Sequence, residues 1–86
     1  MADRPSYEPV LSSKAAAFFV GHSKIRQRKL IALLFQLADN PFQIGDYSEL
    51  DQSGREVQFI LIRDLLIAFW ADHAVSELRI VDLEEV

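Results

Sequence analysis

Few side chains in this sequence can do chemistry, and His73 is the first of them. Histidine exchanges a proton near neutral pH, and this one follows Asp72 in a polar stretch. With Arg55 or Arg79 beside it to hold phosphate, His73 would make a minimal phosphodiesterase centre. An isolated histidine in a polar turn is more often structural. His22, next to Gly21, reads as a cap on a helix end.

Lys24, Arg26, Arg28 and Lys29 crowd the start of the longest helical segment and offer a patch for nucleic acid or for an acidic partner. Four charges over six residues point in several directions, which suits a solvated helix face equally well. Tyr47, Glu49 and Asp51 project from one side of an extended segment, as carboxylates that bind a divalent cation do, but an exposed strand explains them too. With two distant histidines and no cysteine, no metal site is expected. The three glycines are scattered singly, so no phosphate-binding loop is present and no cofactor is implied.

These residues sit in a chain of 86, short enough that one core, and one domain over 1–86, is expected. Half the residues are apolar and 26% are charged, a composition that folds. Absence of cysteine fits a reducing compartment. Met1 to Pro9 is polar, and no apolar run approaches a membrane span, so a cytoplasmic protein with no membrane contact is expected. The net charge of −4 disfavours a broad phosphate-binding surface. Charge is unevenly distributed: residues 1–38 hold six basic and two acidic residues, and residues 39–86 hold three and eleven.

Tyr7 to Leu11 alternates weakly and predicts a short strand. Ser12 or Ser13 then caps a helix over Lys14 to Val20, with Gly21 placed to end it in the left-handed conformation. Ser23 caps a second helix over Ile25 to Ala38, where Leu30, Leu33, Leu34 and Leu37 recur at helical spacing and Asn40-Pro41 stops the run. Extended segments follow at Asp46 to Asp51, Glu56 to Ile62, Leu65 to Ala71 and Glu77 to Leu83, with turns at Gln52-Ser53-Gly54 and Arg63-Asp64. The expected class is α+β, with an N-terminal helix hairpin packed on one face of a mainly antiparallel sheet of four to five strands.

The two central strands are apolar on both faces. Val57, Phe59 and Leu61 oppose Gln58, Ile60 and Ile62; Leu65, Ile67 and Phe69 oppose Leu66, Ala68 and Trp70. A helix hairpin covers one face only, so the other must be closed by the chain itself or by a second chain. Ile60, Ile62, Leu66 and Trp70 are the expected partner-binding residues.

Leu37-Ala38-Asp39-Asn40-Pro41 after the second helix, then Gly45-Asp46-Tyr47, Gly54-Arg55, the strand Val57 to Ile62, Phe69-Trp70-Ala71-Asp72-His73-Ala74 and a last strand Glu77 to Leu83 resemble the RelE/ParE superfamily of toxins from type II toxin–antitoxin systems. The resemblance spans nearly the whole chain and rests on the order of elements. It implies a toxin-like module neutralised by an antitoxin protein. In that family, RelE-like members cut mRNA on the ribosome and ParE-like members poison DNA gyrase. RNA cleavage needs a base for the 2′-hydroxyl, positive charge for the oxyanion and an acid for the leaving oxygen. The family's ribonucleases carry Lys and Arg on the open sheet face, where this sequence has Gln58, Ile60, Ile62 and Leu66 and ends Asp82-Leu83-Glu84-Glu85. The leading expectation is therefore a toxin-like protein that binds an antitoxin and whose own activity is weak or lost. The alternatives are a metal-independent endoribonuclease using His73 with Arg55, Arg63 and Arg79, and a homodimeric structural or interaction domain.

Overall fold

The computed structural model describes residues 7–86. The elements run β1 (Glu8–Leu11), α1 (Ser13–Val20), α2 (Lys24–Ala38), β2 (Tyr47–Leu50), β3 (Glu56–Ile62), β4 (Leu65–Asp72) and β5 (Glu77–Glu85). All five strands join one sheet in the order β1-β5-β4-β3-β2. The class is α+β as expected, with two corrections to its detail. The strand expected at Tyr7 to Leu11 is present, so the helix hairpin is not itself the N-terminal element, and that strand lies parallel to β5, so the sheet is mixed. Parallel neighbours need a long crossover, and here everything between β1 and β5 supplies it.

Both helices begin as their sequences dictate. The Ser12 hydroxyl accepts from the Ala15 amide at 3.0 Å and the Ser23 hydroxyl from the Arg26 amide at 3.2 Å, each satisfying a free first-turn donor. The end of α1 differs from expectation, because Gly21 stays right-handed at φ −78°. Side chains close this end instead. His22 Nδ1 lies 2.7 Å from the Phe18 carbonyl, and Gln27 Nε2 donates to the carbonyls of Phe19 and His22, so His22 is the cap its position suggested. Positive φ occurs instead at the turns, at Gly54 (82°), Arg63 (58°) and Ser76 (56°).

Leu30, Leu34 and Leu37 of α2 and Ala15 of α1 bury against Ile67 and Phe69 of β4 and Leu78 and Ile80 of β5. The Arg63-Asp64 turn sets the register of the β3–β4 hairpin by pairing Ile62 with Leu65 and Ile60 with Ile67. Ile60 and Ile62 therefore share the helix-covered face and pack on its core. Leu66, Ala68 and Trp70 belong to the opposite face, with Leu61, Phe59 and Val57. The expected surface of Ile60, Ile62, Leu66 and Trp70 is split between two faces, because residues directly paired across strands share a side.

At the far edge, β2 is held by the segment before it. A Cβ on Gly45 would lie 2.5 Å from the Phe59 carbonyl oxygen, so only glycine lets the chain pass this close. The Gly45 amide donates to Gln58 Oε1, and Asp46 donates to the Phe59 carbonyl while its carboxylate accepts from the Leu61 amide.

Candidate partner-binding site

The face of the sheet away from the helices, expected to be closed by the chain itself or by a second chain, is partly closed by its own side chains. Val57 and Ala68 are buried and Trp70 is half-buried. The Arg55 guanidinium stands 3.9 Å from the centroid of the Trp70 ring, and Arg79 approaches the same ring at 6.0 Å. Tyr47 stacks on Phe59 with centroids 4.8 Å apart. Leu61 remains open on this side of the molecule, at 49% exposure.

The arginines of this face are already engaged by acids. Arg55 pairs with Asp51 at 3.2 Å, and Arg79 with Glu77 at 2.8 Å and Asp72 at 3.9 Å. Asp51 also accepts from the Ser53 hydroxyl and from the Ser53 and Arg55 amides. These hydrogen bonds, led by that from Ser53, and the Arg55 charge hold its carboxyl below the usual value of 3.8.

His73 makes its contacts elsewhere. The Tyr7 hydroxyl lies 2.8 Å from its Nδ1, and Phe42 stacks on its ring at 4.9 Å. Tyr7 is itself tied to the end of α2, through its amide and the Ala38 carbonyl. Arg63 sits on the turn at the other end of β4, whose eight residues span roughly 25 Å at strand rise. The structure thus brings Arg55 and Arg79 together around Trp70 and separates both Arg63 and, in its contacts, His73 from them. Among the described residues no cluster of three or more metal-ligating side chains occurs, so Glu49 and Asp51 gain no further ligand.

A concavity of about 450 Å³ lies on the helix side, between α2 and the β3–β4 turn. Leu30, Leu33, Ile62 and Leu65 supply its apolar surface, and Arg26, Lys29 and Arg63 its charge. Helical spacing creates it: Arg26, Lys29, Leu33 and Gln36 recur every three or four residues along one flank of α2. The sequence offers Ile62, Arg26, Lys29 and Arg63 for three separate roles, and here they line one groove. Leu33 went unassigned to any site, although its place between Lys29 and Gln36 on that flank was a usable signal.

Arg26 is tethered, at 3.2 Å from Glu85 and 3.7 Å from Asp64. Lys29 and Arg63 form no ion pair among the described residues. The uneven charge along the sequence is folded back on itself in this way: Lys14 meets Asp82 and Arg26 meets Glu85, so two acids of the last strand are used by basic residues of the helices. Lys24 and Arg28 stand exposed on α2 outside the groove, so the basic run is divided between two flanks of the helix.

No protein-family model and no curated protein matches the sequence. Among solved structures, the chain is similar to one in the crystal structure of the archaeal RelE–RelB complex from Pyrococcus horikoshii OT3. The two superpose with a TM-score of 0.67 over 93% of this chain and 94% of the other, at 10% identity. The fold is RelE-like. Identity this low carries the architecture and leaves the chemistry to be read from this chain's own residues. Among the described residues no helix is long and apolar enough to cross a membrane.

Proposed function

We propose that this chain is the toxin-like member of a type II toxin–antitoxin pair, acting chiefly as a protein-binding module, and that the α2/β3–β4 groove is where an antitoxin segment docks. The groove carries the reading. It combines Leu33 and Ile62, able to bury a partner's apolar side chains, with Lys29 and Arg63, two cations free of ion pairs among the described residues. Such a site suits a partner that is apolar on one side and acidic on the other. The RelE-like fold supports the assignment, since its solved relative was crystallised in complex with RelB.

Intrinsic activity is weak or lost on this reading. The guanidiniums that would meet phosphate on the open face, Arg55 and Arg79, are held by Asp51, Glu77 and Asp72. A ribonuclease centred on His73 draws no support from this geometry, because none of its polar contacts is with Arg55, Arg63 or Arg79.

The test is expression of the chain alone and together with the product of its neighbouring reading frame, followed by growth and co-purification. Stable co-purification that is lost on Ala32→Glu, at the exposed lip of the groove, is the expected outcome. Absence of any co-purifying product, or a complex indifferent to that charge, overturns it. Messenger RNA cleavage on induction that depends on His73 would instead favour the endoribonuclease.

A further inference from the structure

Helix α2 has a second exposed flank, facing away from both the core and the groove. Lys24, Arg28, Ile31, Phe35 and the C-cap Asp39 follow one another at spacings of four, three, four and four residues, and all five are exposed. At 100° per residue they fall within about 80° of the helix circumference, so they form one stripe. Ile31 and Phe35 at its centre are 43% and 52% exposed. Lys24, Arg28 and Asp39 form no ion pair among the described residues.

The order of residues along the stripe selects its occupant. Cations lie at one end, two apolar residues in the middle and an acid at the other end. Two copies placed antiparallel about a two-fold axis between residues 31 and 35 would set Ile31 of each against Phe35 of the other. The same operation brings Arg28 to Asp39 at both ends. A parallel arrangement would instead place Lys24 and Arg28 against themselves. From this self-complementarity we infer that the chain forms a two-fold dimer through α2, with Ile31 and Phe35 as its centre and Arg28–Asp39 pairs closing it. The groove lies on the other flank of α2, so the dimer does not depend on the antitoxin reading.

The stripe is one helix flank, well short of a standard interface, so the dimer is weak and reversible, forming at micromolar to millimolar concentration. Sedimentation of the full chain over a dilution series tests it. The weight-average mass should rise with concentration, and Phe35→Glu should weaken association more than about tenfold while leaving the circular dichroism spectrum unchanged. Arg28→Glu and Asp39→Arg should each weaken it by about three- to tenfold, and the double variant R28E/D39R should restore it. A mass that stays monomeric throughout overturns the proposal. So does a double reversal as weak as its singles, because only an antiparallel pairing of these two positions rescues both.

Discussion

Around Trp70, arginines and carboxylates answer one another: Arg55 has Asp51 and an aromatic face, and Arg79 has Glu77 and Asp72. Along the groove between α2 and the β3–β4 turn, Lys29 and Arg63 flank apolar surface and find no ion-pair partner among the described residues. The two regions are the two sides of the same hairpin, and each contains cations near apolar side chains. The difference between them teaches that cation content is a poor guide to a binding site. What matters is whether the fold has already supplied the counter-charge, since a paired guanidinium must lose that pair before it gains another.

The comparison can be broken first through stability. Phe69 and Trp70 are neighbours in β4 pointing to opposite faces, one 1% exposed in the core and the other half-buried under Arg55. Phe69→Ala should cost about 3–5 kcal/mol of unfolding free energy, by lost transfer and by the cavity left behind. Trp70→Ala should cost about 1–2 kcal/mol, from partial burial and the cation contact. Urea denaturation of both variants decides the matter. Equal losses would mean that the open face is as fully enclosed as the core.

Binding should divide the same two sides. Ala32→Glu in the groove should weaken partner association by roughly a hundredfold or more, since it places an acid where an acidic partner must come. Leu61→Glu, on the open face, should change it less than about threefold. Titration calorimetry with the co-purified partner measures both. If Leu61→Glu is the more damaging, the partner lies on the open face.

A smaller effect isolates charge from shape. The double reversal K29E/R63E should lower affinity about tenfold and flatten its dependence on salt, because long-range attraction is what those two cations add. Arg55→Glu should leave both affinity and salt dependence in place. Repeating the titration at two ionic strengths separates the cases.

Why the sequence groups Ile60 and Ile62 with Leu66 and Trp70, when the fold puts them on opposite faces, is a question of register. The elements themselves were legible, because Ser12 and Ser23 are caps with free amides to accept from, and β3 and β4 are apolar runs bounded by turn residues. The pairing of faces needed one further step. With Arg63 and Asp64 as the only residues between β3 and β4, Ile62 must pair with Leu65, and a shift of one residue reverses every side chain. That step assigns Ile60 and Ile62 to the core and leaves Leu66 and Trp70 alone on the open side. The parallel place of β1 had no local signal, since it is fixed by contact with β5 far along the chain. The groove was half-visible: Lys29 and Leu33 share a helix flank in the sequence, but their meeting with Arg63 is tertiary.

The smallest expected effect concerns acid, and it tests whether the open face holds its own charges as firmly as its geometry indicates. Asp51 is hydrogen-bonded by Ser53 and Arg55 in the β2–β3 turn, and its carboxyl is held below the ordinary 3.8. A carboxyl depressed in the folded state binds protons less readily there than in the unfolded chain. Its contribution is therefore fully present above 3.8 and is lost as pH falls below that value, through the folded pKa. Asp51 lies in a surface turn with its side chain 32% exposed and screened by water, so the change should be confined to a modest acid-side loss of thermal stability. Asp51→Asn should remove that pH dependence and lower stability slightly at neutral pH. Melting curves between about pH 2 and 7 read both consequences, because they bracket the carboxylate range. An acid limb unchanged by the substitution would place the lost stability at other acids, with Asp82 and Glu85, which tie β5 to the helices, the first to examine.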